Sequence, residues 1–328
     1  MNPSDETPAA SPSLPAFEDV LAAAARIAPH ARATPVLRSR ALDELAGCEL
    51  HFKAEHLQRG GAFKFRGACN AVWSLDRDRA RRGVVTHSSG NHGAALALAA
   101  KTRGIACHVV VPEGAVEAKL ESIRRYGAVL HRCAPTIAAR EAVCAEVQRE
   151  TGAELVHPYA DPRVIAGQGT AALELLRETG PLDALLAPVG GGGLLGGSAI
   201  AAAALAPGCK VFGAEPEGAA DAARSLAAGE RRIDFVPDTV CDGLRGTLGE
   251  PNFALLRRHA VEVVVVDDAE TVAAMRLFWR IAKQTIEPSS ATVLAAVLKQ
   301  RERFAGKRVG LVLSGGNVDL DALPWSAA

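Results

Sequence analysis

The sequence lacks net charge: Lys and Arg together number 37, as do Asp and Glu, in 328 residues. It also lacks any basic cluster interleaved with aromatics, so no nucleic acid or other polyanion is expected as partner. No apolar run is long enough to cross a bilayer; the alanine-rich run 199–206 ends at Pro207-Gly208, and no membrane association is expected. Metal-knuckle and redox spacings are missing among Cys48, Cys69, Cys107, Cys133, Cys144, Cys209 and Cys241, which read as reduced, mostly buried thiols of a cytoplasmic protein. Met1 to Pro15 has Asp5 and Glu6 where a targeting peptide would be positive, and reads as a short disordered tail. Internal repeats of solenoid period are absent.

What is present is apolar material, 48% of the chain, enough for two lobes or one large α/β unit. A first helix is expected over Phe17 to Ile27, then short extended pieces at Thr34 to Leu37 and Glu49 to Lys53. From Gly83 onward, apolar runs alternate with helical stretches. Strands are predicted at Gly83–Thr86, Ala106–Val111 and Ala128–His131, with helices at Asn91–Thr102, Val116–Tyr126 and Ile137–Glu150. A second series of strands follows at Ala184–Pro188, Cys209–Ala214, Val261–Val266 and Arg308–Leu313. Such alternation indicates parallel strands covered by helices on both faces. Ala160-Asp161-Pro162 breaks the rhythm and reads as a lobe boundary. The expected division is a tail at 1–15, a large lobe from 16–78 and 161–328, and a small mobile lobe at 79–160, with the ligand in the cleft between.

Four stretches carry chemistry. Gly60-Gly61-Ala62-Phe63-Lys64-Phe65 sets a lysine between two aromatic rings, where partial desolvation favours the neutral amine, a nucleophile able to form a Schiff base with an aldehyde cofactor. Gly190, Gly191, Gly192, Gly193 and Leu194 follow a strand and open a helix, a place where backbone amides hold a phosphate. The run is neither a Rossmann nor a Walker pattern. Ser88-Ser89-Gly90-Asn91-His92-Gly93 sits at the equivalent junction of the middle region and suits a carboxylate. Leu313-Ser314-Gly315-Gly316-Asn317 ends the last strand with a hydroxyl for a ring nitrogen.

Together and in this order, these stretches closely resemble the fold-type II pyridoxal-phosphate enzymes of the serine/threonine dehydratase and serine racemase group, from about Pro15 to Trp325. The resemblance implies a tryptophan synthase β-like fold: two open parallel-sheet α/β lobes with pyridoxal 5'-phosphate in the cleft. It implies that Lys64 holds the cofactor, with Phe63 against the ring, Asn91 on the phenolic oxygen, Gly190 to Gly193 and Leu194 around the phosphate, and Ser314 at the pyridine nitrogen. Ser88, Ser89, Asn91 and His92 would surround the substrate carboxylate, with Arg140 as an outer contact. Glu215, Ala219 and Asp221 match the racemase branch's divalent-cation spacing, and oxygen ligands suit Mg²⁺, Mn²⁺ or Ca²⁺. Relatives of this kind are commonly homodimers or homotetramers.

The resemblance forks at substrate. Ser89 stands where racemases place their second acid/base, and with the acid pair it leans toward the branch that also holds 3-hydroxyaspartate ammonia-lyases. Gly246, Ala94 and Tyr159 depart from the racemase pattern. The favoured expectation is dehydration of L-threonine or L-serine to 2-oxobutyrate or pyruvate and ammonia, catalysed by Lys64 and Ser89. Serine racemisation and threo-3-hydroxyaspartate cleavage are the alternatives. No C-terminal regulatory domain, and hence no isoleucine feedback, is expected. A reading of a different class, a non-catalytic phosphate-metabolite binder, predicts a colourless protein.

Overall fold

The computed structural model describes residues 14–115 and 117–325. The expected tail lies outside them up to residue 13. The strands are β1 (Val36–Leu37), β2 (Glu49–Ala54), β3 (Val84–His87), β4 (Cys107–Pro112), β5 (Val129–Cys133), β6 (Glu154–Leu155), β7 (Ala184–Pro188), β8 (Lys210–Pro216), β9 (Glu262–Val266) and β10 (Arg308–Leu313). They form a six-stranded sheet, β1-β2-β10-β7-β8-β9, and a four-stranded sheet, β5-β4-β3-β6. Every pairing is parallel except β1 with β2.

The apolar runs explain the large sheet. Along β7, Leu186 packs on one face with Phe52, Phe212 and Leu311, while Leu185 and Ala187 pack on the other with Leu195 and Val312. A strand buried on both faces needs side chains of this kind at successive positions. The predicted strands match those observed closely, and the two-residue β6 had no expected counterpart because so short a pairing writes no pattern. The extended piece at Glu49–Lys53 proved to be β2, paired with β10 from Glu49↔Arg308 to Ala54↔Leu313. Asp161 caps the helix Pro162–Thr179 through Arg163 N at 2.8 Å, so the break in rhythm there is a helix start.

The helix Lys64–Trp73 belongs to neither sheet alone. Phe65, Ala68 and Val72 share a core with Val84, Leu96 and Val109 of the second sheet's layer. Its other face meets helix Pro162–Thr179 at a close crossing, where a Cβ on Gly167 would lie 2.6 Å from the Gly67 Cα. Beneath that crossing Arg66 is fully buried. Its Nε and Nη2 donate to Glu55 at 2.7 and 2.8 Å, and its Nη1 and Nη2 donate to Glu174 at 2.7 Å each. Lys53 Nζ completes the balance of charge with a 2.6 Å bond to Glu174. Paired forks of this geometry tie β2, the Lys64 helix and helix Pro162–Thr179 together.

Candidate active site

Four chain segments meet at one cleft, each leaving the carboxyl end of a strand or opening a helix. The Gly60-Gly61 turn, with φ of 72° and 73°, delivers Phe63 and Lys64 to the helix start. That turn is pinned to the end of β10: Phe63 N donates to the Ser314 carbonyl at 2.9 Å, and Gly316 N to the Gly61 carbonyl at 2.9 Å. Lys64 and Ser314, far apart in sequence, are thus brought to adjoining backbone.

Lys64 Nζ donates to the Pro158 carbonyl at 3.0 Å and lies 5.1 Å from the Phe63 ring centroid. Desolvation lowers its pKa to about 8, partly opposed by the Glu287 carboxylate. The residue keeps partial exposure toward the cleft, so this is the crowding of a cleft floor rather than of a sealed core. His92, buried at the start of helix Asn91–Arg103, donates from Nε2 to the Val156 carbonyl at 3.3 Å, which puts the proton of the neutral ring on Nε2. Burial first, then the neighbouring Lys64, hold it well below the usual histidine range, so it serves as a neutral ring. His157 is likewise lowered to about 4, by burial and then by His87. Its Nδ1 accepts from Ala160 N at 3.1 Å, which leaves any proton on Nε2.

The glycine run after β7 opens a helix, as its place in the sequence suggests. Among the described residues, no acceptor takes the backbone N–H groups of Gly190 to Leu194, which gather at the N-terminus of the 13-residue helix Gly193–Leu205. Tyr159 lies against the run, and a Cβ on Gly191 would sit 2.3 Å from its ring. Asn252 Nδ2 clamps both by donating to the Tyr159 carbonyl at 2.9 Å and the Gly191 carbonyl at 2.5 Å. Unpaired amides at a helix N-terminus suit a phosphate, and the crowded amine suits an aldehyde. Ser314 Oγ, buried, has among the described residues only a long 3.4 Å hydrogen bond to Ser290 Oγ, and its hydroxyl can turn from there to a ring nitrogen. The residues present therefore fit pyridoxal phosphate.

On the opposite wall, Ser88, Ser89 and Asn91 are half-buried around the Gly90 turn. Burial lowers the His87 pKa; Glu141 opposes that shift, and Arg140, on helix Ile137–Thr151, adds to it. The Arg140 charge is therefore felt at His87, the residue ahead of Ser88. Its Nε is buried without a partner among the described residues.

The acid pair is not the surface feature its position at a helix start could suggest. Glu215 and Asp221 are fully buried. Both Glu215 oxygens accept backbone N–H groups, from Ala222 at 2.8 Å and Ala223 at 2.9 Å. Asp221 Oδ2 accepts from Leu248 N at 2.7 Å, while its Oδ1 is buried and unpartnered. Burial pushes Glu215 up to about 8 and Asp221 to about 6. Among the described residues no cluster of three or more His, Cys, Asp or Glu could hold a metal. Any cation here would rest on the Asp221 Oδ1, Glu215 and the Ala219 carbonyl.

Sequence reasoning missed Glu287, whose carboxylate takes the Asn91 amide at 3.0 and 3.2 Å. Ahead of Pro288 it looks like a helix-start acid, and only the tertiary fold brings it beside Asn91. His87, His157 and Asn252 were missed for the same reason; a histidine next to Ser88 was the one local signal.

A model of the family described as pyridoxal-phosphate dependent enzyme matches residues 27–315, and the chain belongs to that family. It is 51% identical over 313 residues to the β-hydroxyaspartate dehydratase of Paracoccus denitrificans, covering 95% of this chain and 99% of that protein. The crystal structure of serine racemase from Dictyostelium discoideum superposes with a TM-score of 0.90 at 47% identity, over 94% of this chain and 100% of that one. That of the T.th. threonine deaminase gives 0.88 at 45% identity, over 93% and 99%. The fold is that of the fold-type II enzymes, as expected.

Proposed function

We propose that this enzyme is an ammonia-lyase for β-hydroxy-α-amino acids, with 3-hydroxyaspartate as its preferred substrate, converted to oxaloacetate and ammonia. The observation that carries the preference is Arg140. A guanidinium whose Nε is buried without a partner among the described residues, and whose charge is felt at His87 just ahead of the Ser88-Ser89 loop, would supply the additional cationic contact that a dicarboxylate requires. Similarity to the Paracoccus dehydratase supports the same reading.

Bound in the cleft, pyridoxal phosphate supplies the electron sink for the bond pair left at Cα. The chain does the rest. The amides of Gly190 to Leu194 would hold the phosphate, Phe63 would lie against the ring, Asn91 would meet the phenolic oxygen and Ser314 the pyridine nitrogen. A hydroxyl there, unlike a carboxylate, would leave the nitrogen unprotonated, which suits elimination of a ready leaving group. Ser88, Ser89, Asn91 and neutral His92 seat the α-carboxylate, and Arg140 the β-carboxylate. Lys64 Nζ, neutral above about pH 8, takes the Cα proton. The β-hydroxyl departs as water on receiving that proton back from the Lys64 ammonium, and the released enamine tautomerises to the imine, which water hydrolyses to oxaloacetate and ammonia. Asp221, Glu215 and Ala219 would hold Mg²⁺, Mn²⁺ or Ca²⁺ remote from this chemistry.

Dehydration of L-threonine or L-serine is the second reading, favoured by the close superposition on threonine deaminase. The test is an assay of 2-oxo acid, ammonia and D-amino acid with L-serine, L-threonine and both threo and erythro 3-hydroxyaspartate. Arg140→Gln should lower kcat/KM for hydroxyaspartate by roughly 100-fold or more, the scale of a lost charged contact, while serine falls far less. Equal losses on all substrates, or a wild-type preference for threonine, would defeat the dicarboxylate assignment.

A further inference from the structure

We infer that Glu287 and Asn317 are positioning residues that set which way round the Asn91 side-chain amide faces the cofactor. The inference rests on the placement of Asn91 beside the cofactor's phenolic oxygen. It adds two residues to which that reading gives no role.

Two groups at the ends of this relay, the Gly60 carbonyl and the Glu287 carboxylate, can only accept. Asn317 Nδ2 donates to the Gly60 carbonyl at 2.8 Å. A carbonyl has no proton to give, so Asn317 must present its NH2 group on that side. The same Nδ2 donates to Asn91 Oδ1 at 2.9 Å, which places the Asn91 oxygen toward Asn317. Asn91 Nδ2 then points to Glu287, 3.0 Å from Oε1 and 3.2 Å from Oε2. A carboxylate again only accepts. Both ends of the relay are fixed, so neither amide can turn over without setting oxygen against oxygen. The paired distances fit one N–H shared between the two carboxylate oxygens. The other N–H is left for an acceptor in the cleft, and an Asn91 oxygen turned that way would repel a phenolic oxygen instead.

Independent features of the backbone make room for both positioning residues. A Cβ on Gly61 would lie 2.3 Å from Asn317 Oδ1, and one on Gly315 would lie 2.7 Å from Glu287 Oε1. Glu287 is further anchored by its own backbone, N to the Gly315 carbonyl at 3.0 Å, and its Oε2 accepts from Asn317 N at 3.2 Å. Two glycines in the motifs flanking Lys64 and Ser314 are thus explained by this relay rather than by contact with the cofactor. The relay also joins Asn91, which opens the helix after β3, to the end of β10 in the other sheet.

The test uses two substitutions that keep shape and reverse hydrogen-bonding polarity, Asn317→Asp and Glu287→Gln. Each is loaded with pyridoxal phosphate beside wild type and Lys64→Ala. The ratio of visible to near-ultraviolet cofactor absorption reports on the hydrogen bond to the phenolic oxygen, and titration of cofactor-stripped protein gives affinity. Both variants should shift the band ratio and weaken cofactor binding by about tenfold, the usual effect of losing a partner that orients a ligand. Thermal unfolding should stay close to wild type, above all for Asn317→Asp, whose side chain lies at the solvent edge. An unchanged band ratio and affinity in Asn317→Asp overturns the inference, whatever happens to the folding of Glu287→Gln. A wild-type protein that takes up no cofactor, or a visible band that survives in Lys64→Ala, overturns instead the reading beneath it, and the inference with it.

Discussion

Lys64 Nζ is bonded to the Pro158 carbonyl at 3.0 Å, tying the start of one helix to the chain that has just left β6. The amine is therefore held by a neutral acceptor, and the anion that favours its ammonium form is Glu287. A neutral acceptor holds the amine in place without fixing its proton.

That arrangement gives a pH dependence with a definite sign. The neutral amine is the nucleophile, so cofactor capture by stripped protein should rise with pH through a midpoint of about 8. An ordinary lysine would titrate at about 10.4. Removing the opposing charge in Glu287→Gln should move the midpoint lower, and Lys64→Ala should capture none. Stopped-flow absorbance across pH measures this, and a wild-type midpoint as high as that of an ordinary lysine would refute it.

Arg66 lies fully buried between Glu55 and Glu174. Arg66→Met leaves Glu55 without its cation and Lys53 alone to neutralise Glu174. Stability should fall by about 3–5 kcal/mol, the range for breaking a buried charge pair from one side. Urea unfolding measures it; a loss below about 1 kcal/mol would show that the network relaxes freely.

Gly191 lies against Tyr159 in an ordinary backbone conformation, so any penalty at this site comes from contact rather than from φ. Gly191→Ala should destabilise by about 1–3 kcal/mol, as overpacked cores do, and weaken cofactor binding. Adding Tyr159→Ser should restore most of the stability. If the single variant melts like wild type, the close packing of ring on loop is wrong.

Asp221 Oδ1 is a buried acceptor with no protein donor among the described residues. Mg²⁺, Mn²⁺ or Ca²⁺ should raise the melting temperature of wild type, and a chelator should lower it. Asp221→Asn should show neither response, because the amide replaces a charged ligand with a neutral one. Indifference of the wild-type protein to both additions would remove the cation from this account.

The two-sheet architecture was legible in the sequence because a strand buried on both faces must be written as an unbroken apolar run, as β7 and β10 are. Lys64, the glycine run and Ser314 stand out in the sequence because each lies immediately after a strand or at the start of a helix, and of these only Gly192, at φ 89°, takes a left-handed backbone. The class of chemistry came from those local motifs together with the family resemblance that they carry. Distances between segments far apart in the chain were left to the tertiary structure. It set Glu287 against Asn91, brought the Arg140 charge to bear on His87, buried the acid pair at Glu215 and Asp221, and packed the Lys64 helix against the second sheet's layer and helix Pro162–Thr179. Those contacts arise where side chains from separate segments meet, and no spacing along one segment records them.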